Sequence, residues 1–118
     1  MKPTIIFDFD GVINSYTSGW QGHAEIIPDP PVPGIKAAIE EIRKEFRVVI
    51  VSSRCSHPGG IMAIKLWLQK YGITVDDINA TKPPAHITVD DRAITFDGHP
   101  ETLLDRINEF QVWNRKDP

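Results

Sequence analysis

Ile5-Ile6-Phe7-Asp8-Phe9-Asp10-Gly11-Val12 is the stretch on which the fold turns. Residues 4–7 form a short apolar run with β-branched members, and it stops abruptly at two aspartates and a glycine. Such a run reads as a buried strand ending in a loop. The same pattern returns downstream. Val48-Val49-Ile50-Val51 runs into Ser52-Ser53-Arg54, and Ile87-Thr88-Val89 runs into Asp90-Asp91-Arg92. A weaker strand near Ile78 leads to Lys82-Pro83.

Helical periodicity fills the gaps between these strands. Ile35, Ala38, Ile39, Ile42 and Phe46 recur at helical spacing and predict an amphipathic helix over 35–46. A second helix follows Gly59-Gly60, with Ile61, Ile64 and Leu68 on its buried face and Gly72 placed to end it in the left-handed conformation. A short edge strand is expected over 93–96. A closing helix is expected over 100–113, with Leu103, Leu104, Ile107 and Phe110 inward. Alternation of strand and helix argues for an α/β fold, a doubly wound parallel sheet with helices on both faces. Residues 14–34 break the pattern, being rich in Ser, Gly and Pro. A loop of that length is often a functional flap. We expect a β-hairpin there, pairing 13–17 with 24–27 through a turn at Ser18, Gly19 and Gly22. Neither an internal repeat nor a second domain is evident, so 1–118 reads as one domain.

Composition narrows the function. The chain has 118 residues, 41% hydrophobic and 25% charged, as globular domains do. Its formal net charge of -3 lacks the basic footprint of a typical nucleic-acid binder, although nucleic acid is not thereby excluded. A single cysteine, Cys55, forbids an intrachain disulfide and fits a reducing, cytoplasmic setting. No apolar run reaches the roughly 18 residues of a membrane span, and Asp8 and Asp10 interrupt the one candidate leader.

Four polar sites each follow a predicted strand: Asp8-Phe9-Asp10, Ser52, Lys82 and Asp90-Asp91. In open α/β sheets, ligands bind beyond the carboxyl ends of the strands, so residues far apart in sequence are expected to meet there. Singly, each is an ordinary turn residue. Together and in this order they are hard to obtain by accident. A phospho-receiver domain uses similar residues, but with the acidic pair first, then the accepting aspartate, Ser/Thr and lysine. The order here is different.

The segments 5–12, 48–54, 82–83 and 87–92 resemble the motifs of the haloacid dehalogenase (HAD) superfamily, a similarity that spans most of the chain. The resemblance implies a Rossmann-like core and a phosphomonoesterase that works through an aspartyl-phosphate on Asp8. It implies Mg²⁺ held by the carboxylates of Asp8 and Asp90, the carbonyl of Asp10 and, directly or through water, Asp91. It makes Asp10 the general acid/base. Members that cleave carbon–halogen bonds or pump ions lack an aspartate there. Ser52 and Lys82 would contact the phosphoryl group, with Gly11, Ser53 and Arg54 as substrate-binding candidates. Arg92 is a weaker candidate for an anion contact. Cys55 reads as incidental, and the four histidines have no zinc spacing. His23, His57 and Trp20 lie in loops where they either touch substrate or pack down.

HAD enzymes commonly carry a cap domain, but neither intervening segment has room for one. The expected protein is therefore capless, with an open site covered by its flap, by a large substrate or by a second copy of the chain. The expected substrate is a small phosphorylated metabolite or nucleotide. The alternatives are a macromolecular phosphate, such as a nucleic-acid 3′-phosphate, and a non-catalytic module that binds Mg²⁺ and phosphate.

Overall fold

Strand β1 (Thr4–Phe7) lies inside a four-stranded sheet, flanked by β2 (Arg47–Val51) and β4 (Ile87–Val89), with β3 (Asp77–Asn79) outside β2. Every pairing is parallel. The computed structural model describes residues 1–114. Three α-helices are present among them: α1 (Ile35–Arg43), α2 (Gly60–Tyr71) and α3 (Leu103–Glu109).

Alternation along the strands builds the core. Ile5 and Phe7 of β1, Val48 and Ile50 of β2 and Ile78 of β3 pack with Ile39 of α1 and Ile64, Trp67 and Leu68 of α2. Burying each such side chain is worth about 1.5–3 kcal/mol. Trp67 anchors this layer, with its ring edge-on to Phe9 at 5.0 Å. The two helices share one face because β1, β2 and β3 advance in one direction, and right-handed crossovers then place both on the same side. Gly72 ends α2 at φ 68°, as its position predicts.

Three expectations need correction. First, the closing helix does not bury the expected residues: α3 has no buried residue, and Leu104 and Ile107 are exposed where the periodicity puts them inward. Second, 93–96 does not join the sheet. The carbonyl of Thr95 instead accepts a hydrogen bond from Arg106, and Ile94 and Phe96 stay exposed. Third, the flap is not a hairpin of 13–17 with 24–27. Residues 13–15 run beside 30–32: Val32 N donates to Ile13 O at 2.8 Å and Ser15 N to Pro30 O at 3.0 Å. The carbonyls of Ala24 and Ile26, which a strand partner would use, accept hydrogen bonds from Arg54. No helix among the described residues is long and apolar enough to cross a membrane.

The winding creates a reversal beside β1. The chain proceeds from β1 to β2 to β3, then returns across the sheet to β4 on the other side of β1. The carboxyl ends of β1 and β4 therefore border the crevice where α/β sheets bind ligands.

Candidate active site

Phe7 is in register with Val89, and Asp8 N donates to Val89 O at 2.9 Å. Asp8 and Asp90 consequently leave adjacent strands at the same level. Carboxylate oxygens of Asp8, Asp90 and Asp91 all lie within 4.8 Å of one another. Burial, then a hydrogen bond with Asp91 and the charges of Asp90 and Asp91, push the Asp8 carboxyl up to about 8. The Phe9 amide, donating to Asp8 Oδ1 at 2.9 Å, opposes that rise. One oxygen of Asp91, Oδ1, is buried with no hydrogen-bond partner. An orphaned acceptor among crowded carboxylates, in an all-oxygen donor set, is an environment that a hard divalent cation satisfies.

Gly11 makes this crowding possible. It sits at φ 86°, and a Cβ there would overlap the Asp91 carboxylate. Its amide is already engaged, donating to Asn14 O at 2.8 Å. It therefore acts here through its lack of a side chain.

Asp10 points to a different set of partners. Arg54 Nε donates to Asp10 Oδ2 at 2.8 Å and to Oδ1 at 3.1 Å. Asn14 Nδ2 donates to Oδ1 at 2.9 Å. Arg54 is only 1% exposed, so its guanidinium faces inward. Its Nη1 holds the carbonyls of Ala24 at 2.8 Å and Ile26 at 3.3 Å. Arg54 thus ties the acid/base candidate to the long loop.

The other candidates divide. Ser52 is buried, and its Oγ accepts from Arg54 N at 3.2 Å, capping a 3₁₀ turn over Ser53–Ser56. Its hydroxyl proton remains available to a ligand. Ser53, Lys82 and Arg92 are exposed. Among the described residues, Lys82 makes no ion pair with the clustered aspartates. Cys55 is half-buried, and burial pushes its thiol up.

Several residues that shape the site carry no motif. Asn14 is fully buried beside Asp10; its spacing of four from that aspartate is the only hint. Tyr16 adopts φ 58°, uncommon for a non-glycine, and Asn14 Oδ1 accepts from its amide. The carboxylate of Asp29 gathers Ser18 N, Ser18 Oγ and Thr17 Oγ1, while its carbonyl accepts from Trp67 Nε1 at 3.0 Å. Near the other end of the chain, Trp113 Nε1 donates to Gly11 O at 2.7 Å and Asn114 Nδ2 to Ser15 O at 3.0 Å. Asp90 and Asp91 open onto a cleft of about 330 Å³ that Trp113 also lines. A larger groove of about 440 Å³ runs along α2 and contains none of the clustered carboxylates.

No protein-family model matches the chain, and no curated protein matches it. Solved structures do. A chain of the "Pnkp1/Rnl/Hen1 complex" aligns with TM-score 0.55 at 16% identity, over 96% of this chain and 36% of that one. A chain of the "Pnkp1/Rnl/Hen1 RNA repair complex" aligns with TM-score 0.55 at 16% identity, over 93% and 33%. The chain therefore spans about a third of the length of these neighbours. At this identity the likeness is one of fold, a parallel α/β sheet.

Proposed function

We propose that the chain is a Mg²⁺-dependent phosphomonoesterase of the haloacid dehalogenase type, with Asp8 as its nucleophile. The observation that carries this reading is the Asp8–Asp90–Asp91 cluster at the reversal of the sheet. Burial, and then the neighbouring Asp91 and Asp90 carboxylates, make Asp8 hold a proton in the absence of a counter-charge. A carboxylate nucleophile must be ionised, so the arrangement makes sense with a cation. Asp8, Asp90 and Asp91 would hold it, with the Asp10 carbonyl as a further ligand. When bound, the cation neutralises charge on the transferring phosphoryl group.

The chain's own residues then divide the work. An Asp8 carboxylate oxygen forms a bond to phosphorus as the bond from phosphorus to the leaving oxygen breaks. To protonate that oxygen, Asp10 must first take a proton from solvent and free one of its oxygens from Arg54, since both accept from Arg54 in the resting site. Asp10, now a carboxylate, removes a proton from water as the water attacks the aspartyl-phosphate, releasing inorganic phosphate and Asp8. Arg54 and Asn14 orient the Asp10 carboxylate for the second step, the activation of water. The Ser52 hydroxyl donates to a phosphoryl oxygen, and Lys82 supplies positive charge from the segment after β3.

The test is turnover of a generic phosphate ester with Mg²⁺. Asp8→Asn should reduce it at least a hundredfold, because the amide neither attacks as an anion nor binds Mg²⁺ well. Retention of a tenth of the activity would falsify the assignment. A second reading, action on a phosphorylated nucleic-acid end, is favoured by the RNA repair complex in which one fold neighbour is found. Assaying an oligonucleotide 3′-phosphate beside small phosphate esters separates the two.

A further inference from the structure

A second cleft, of about 210 Å³, lies between the long loop and the turn after β2. Trp20, His23 and Glu25 line it from the loop, and His57 and Pro58 line it from the turn. The rings of Trp20 and His57 face one another at 6.2 Å between centroids and 45° between planes. The Trp20 ring also covers the Arg54 guanidinium at 5.1 Å. The same guanidinium holds Asp10 at 2.8 Å. One side chain therefore separates the cleft from the proposed acid/base.

Its construction is specific. Arg54 fixes the loop backbone at Ala24 and Ile26, and Asp29 accepts from the Ser18 amide and the Thr17 hydroxyl. Yet this fixed loop leaves Trp20 48% exposed. The volume falls below the roughly 300–1,000 Å³ of drug-sized sites, which suits a single planar heterocycle. At 6.2 Å and 45° Trp20 and His57 pack on each other as an aromatic pair, so a base stacks on Trp20 in place of the exposed His57 ring. His23 and Glu25 add hydrogen-bonding groups for the edge of a ring.

We propose that this cleft receives the nucleobase next to the phosphate, so that the substrates are nucleotides, free or at the end of a strand. This rests on the phosphatase reading of the acidic cluster. A sugar phosphate or glycerol phosphate has no flat ring to stack on Trp20. A base inserted beside Trp20 would present its own phosphate towards Asp10 and Asp8.

The experiment compares wild type, Trp20→Ala and Trp20→Phe on three substrates: adenosine 3′-monophosphate, an oligonucleotide ending in a 3′-phosphate, and glycerol phosphate. The ratio of kcat/KM for each nucleotide to that for glycerol phosphate should fall about tenfold in Trp20→Ala, the size of one base–aromatic stack. Trp20→Phe should restore most of it. A similar fall on both nucleotide substrates means that one base is read; a fall on the oligonucleotide alone assigns the cleft to strand ends. An unchanged ratio on both overturns the proposal, as does equal loss on all three. Calorimetry of adenosine 3′-monophosphate binding to Asp8→Asn protein, with and without Trp20→Ala, separates this from failure of the phosphatase reading. Binding that Trp20→Ala weakens about tenfold supports the cleft even if no substrate turns over. Binding indifferent to Trp20 removes it.

Discussion

Arg54 is a buried cation with a single carboxylate partner, Asp10, among the described residues. Removing one member of such a pair leaves the other charge uncompensated, which typically costs 3–5 kcal/mol. Asp10 keeps 19% of its side chain in solvent, so we expect the low end, about 3 kcal/mol, for Arg54→Met. Urea unfolding measures it, and a loss below about 1 kcal/mol would show that Asp10 reorganises freely. Cys55 gives the opposite prediction. Burial pushes its thiol up, so it stays protonated at neutral pH and is a poor nucleophile. Cys55→Ser should retain most phosphatase activity, and alkylation by iodoacetamide should be slow at pH 7. Abolished turnover in a folded Cys55→Ser protein would point to thiol chemistry instead. The sequence revealed Asp8, Asp10, Asp90 and Asp91 because each follows an apolar run, a local signal. The sequence marks Arg54 as a candidate substrate contact but not its partners. Its true surroundings depend on Ala24 and Ile26, which are distant in sequence, so no local pattern reports them.

At the scale of elements, two groups of carboxylates titrate with opposite signs. Asp8, at the end of β1, holds a proton up to about pH 8 in the metal-free protein, whereas the unfolded chain releases it near pH 4. The folded state binds the extra proton, so stability falls as pH rises from about 4 to 8. Asp29 in the long loop and Asp76 before β3 behave conversely. Burial would raise Asp29, but hydrogen bonds from Ser18 and Thr17 outweigh it and hold the carboxyl below its usual value. The Arg43 hydrogen bond does the same for Asp76, helped by the Val48 amide. Their contribution is present above about pH 4 and is lost as pH falls through their folded values. Thermal melts in EDTA should therefore give a maximum Tm between about pH 4 and 6, falling by several degrees towards pH 8. The alkaline limb should flatten in Asp8→Asn. A Tm that climbs steadily from pH 5 to 8 would contradict the shared proton. Strands β1, β2 and β4 were readable because their β-branched runs are continuous. The course of 14–34 was not, because its partner was set by a side chain from another element. The exposure of α3 was not either, because its helical periodicity predicts an inward face that Leu104 and Ile107 do not take.

For the molecule as a whole, the proposed cation site predicts that folding is coupled to metal. Two like charges about 4 Å apart repel by roughly 4 kcal/mol at an effective dielectric near 20. A cation that binds only the folded cluster stabilises it by about 1.4 kcal/mol at tenfold above its Kd. For a domain of this size, Tm should rise by roughly 3–8 °C in saturating Mg²⁺. Asp90→Asn should shrink that rise sharply and leave the EDTA-treated protein no less stable than wild type, which simple damage to the fold would not do. Equal shifts in both proteins would take Asp90 out of the site. The buried guanidinium of Arg54 also constrains anyone who wishes to redesign the protein. One face of it orients Asp10, while its other contacts are two carbonyls and an indole from residues 20–26. A transplanted loop would have to present two acceptors and a flat lid at the same places, or the acid/base group would lose its alignment together with the old specificity. Changes confined to His23 and His57 leave that anchorage intact, so a library randomised at those two positions is the better starting point for altering substrate choice.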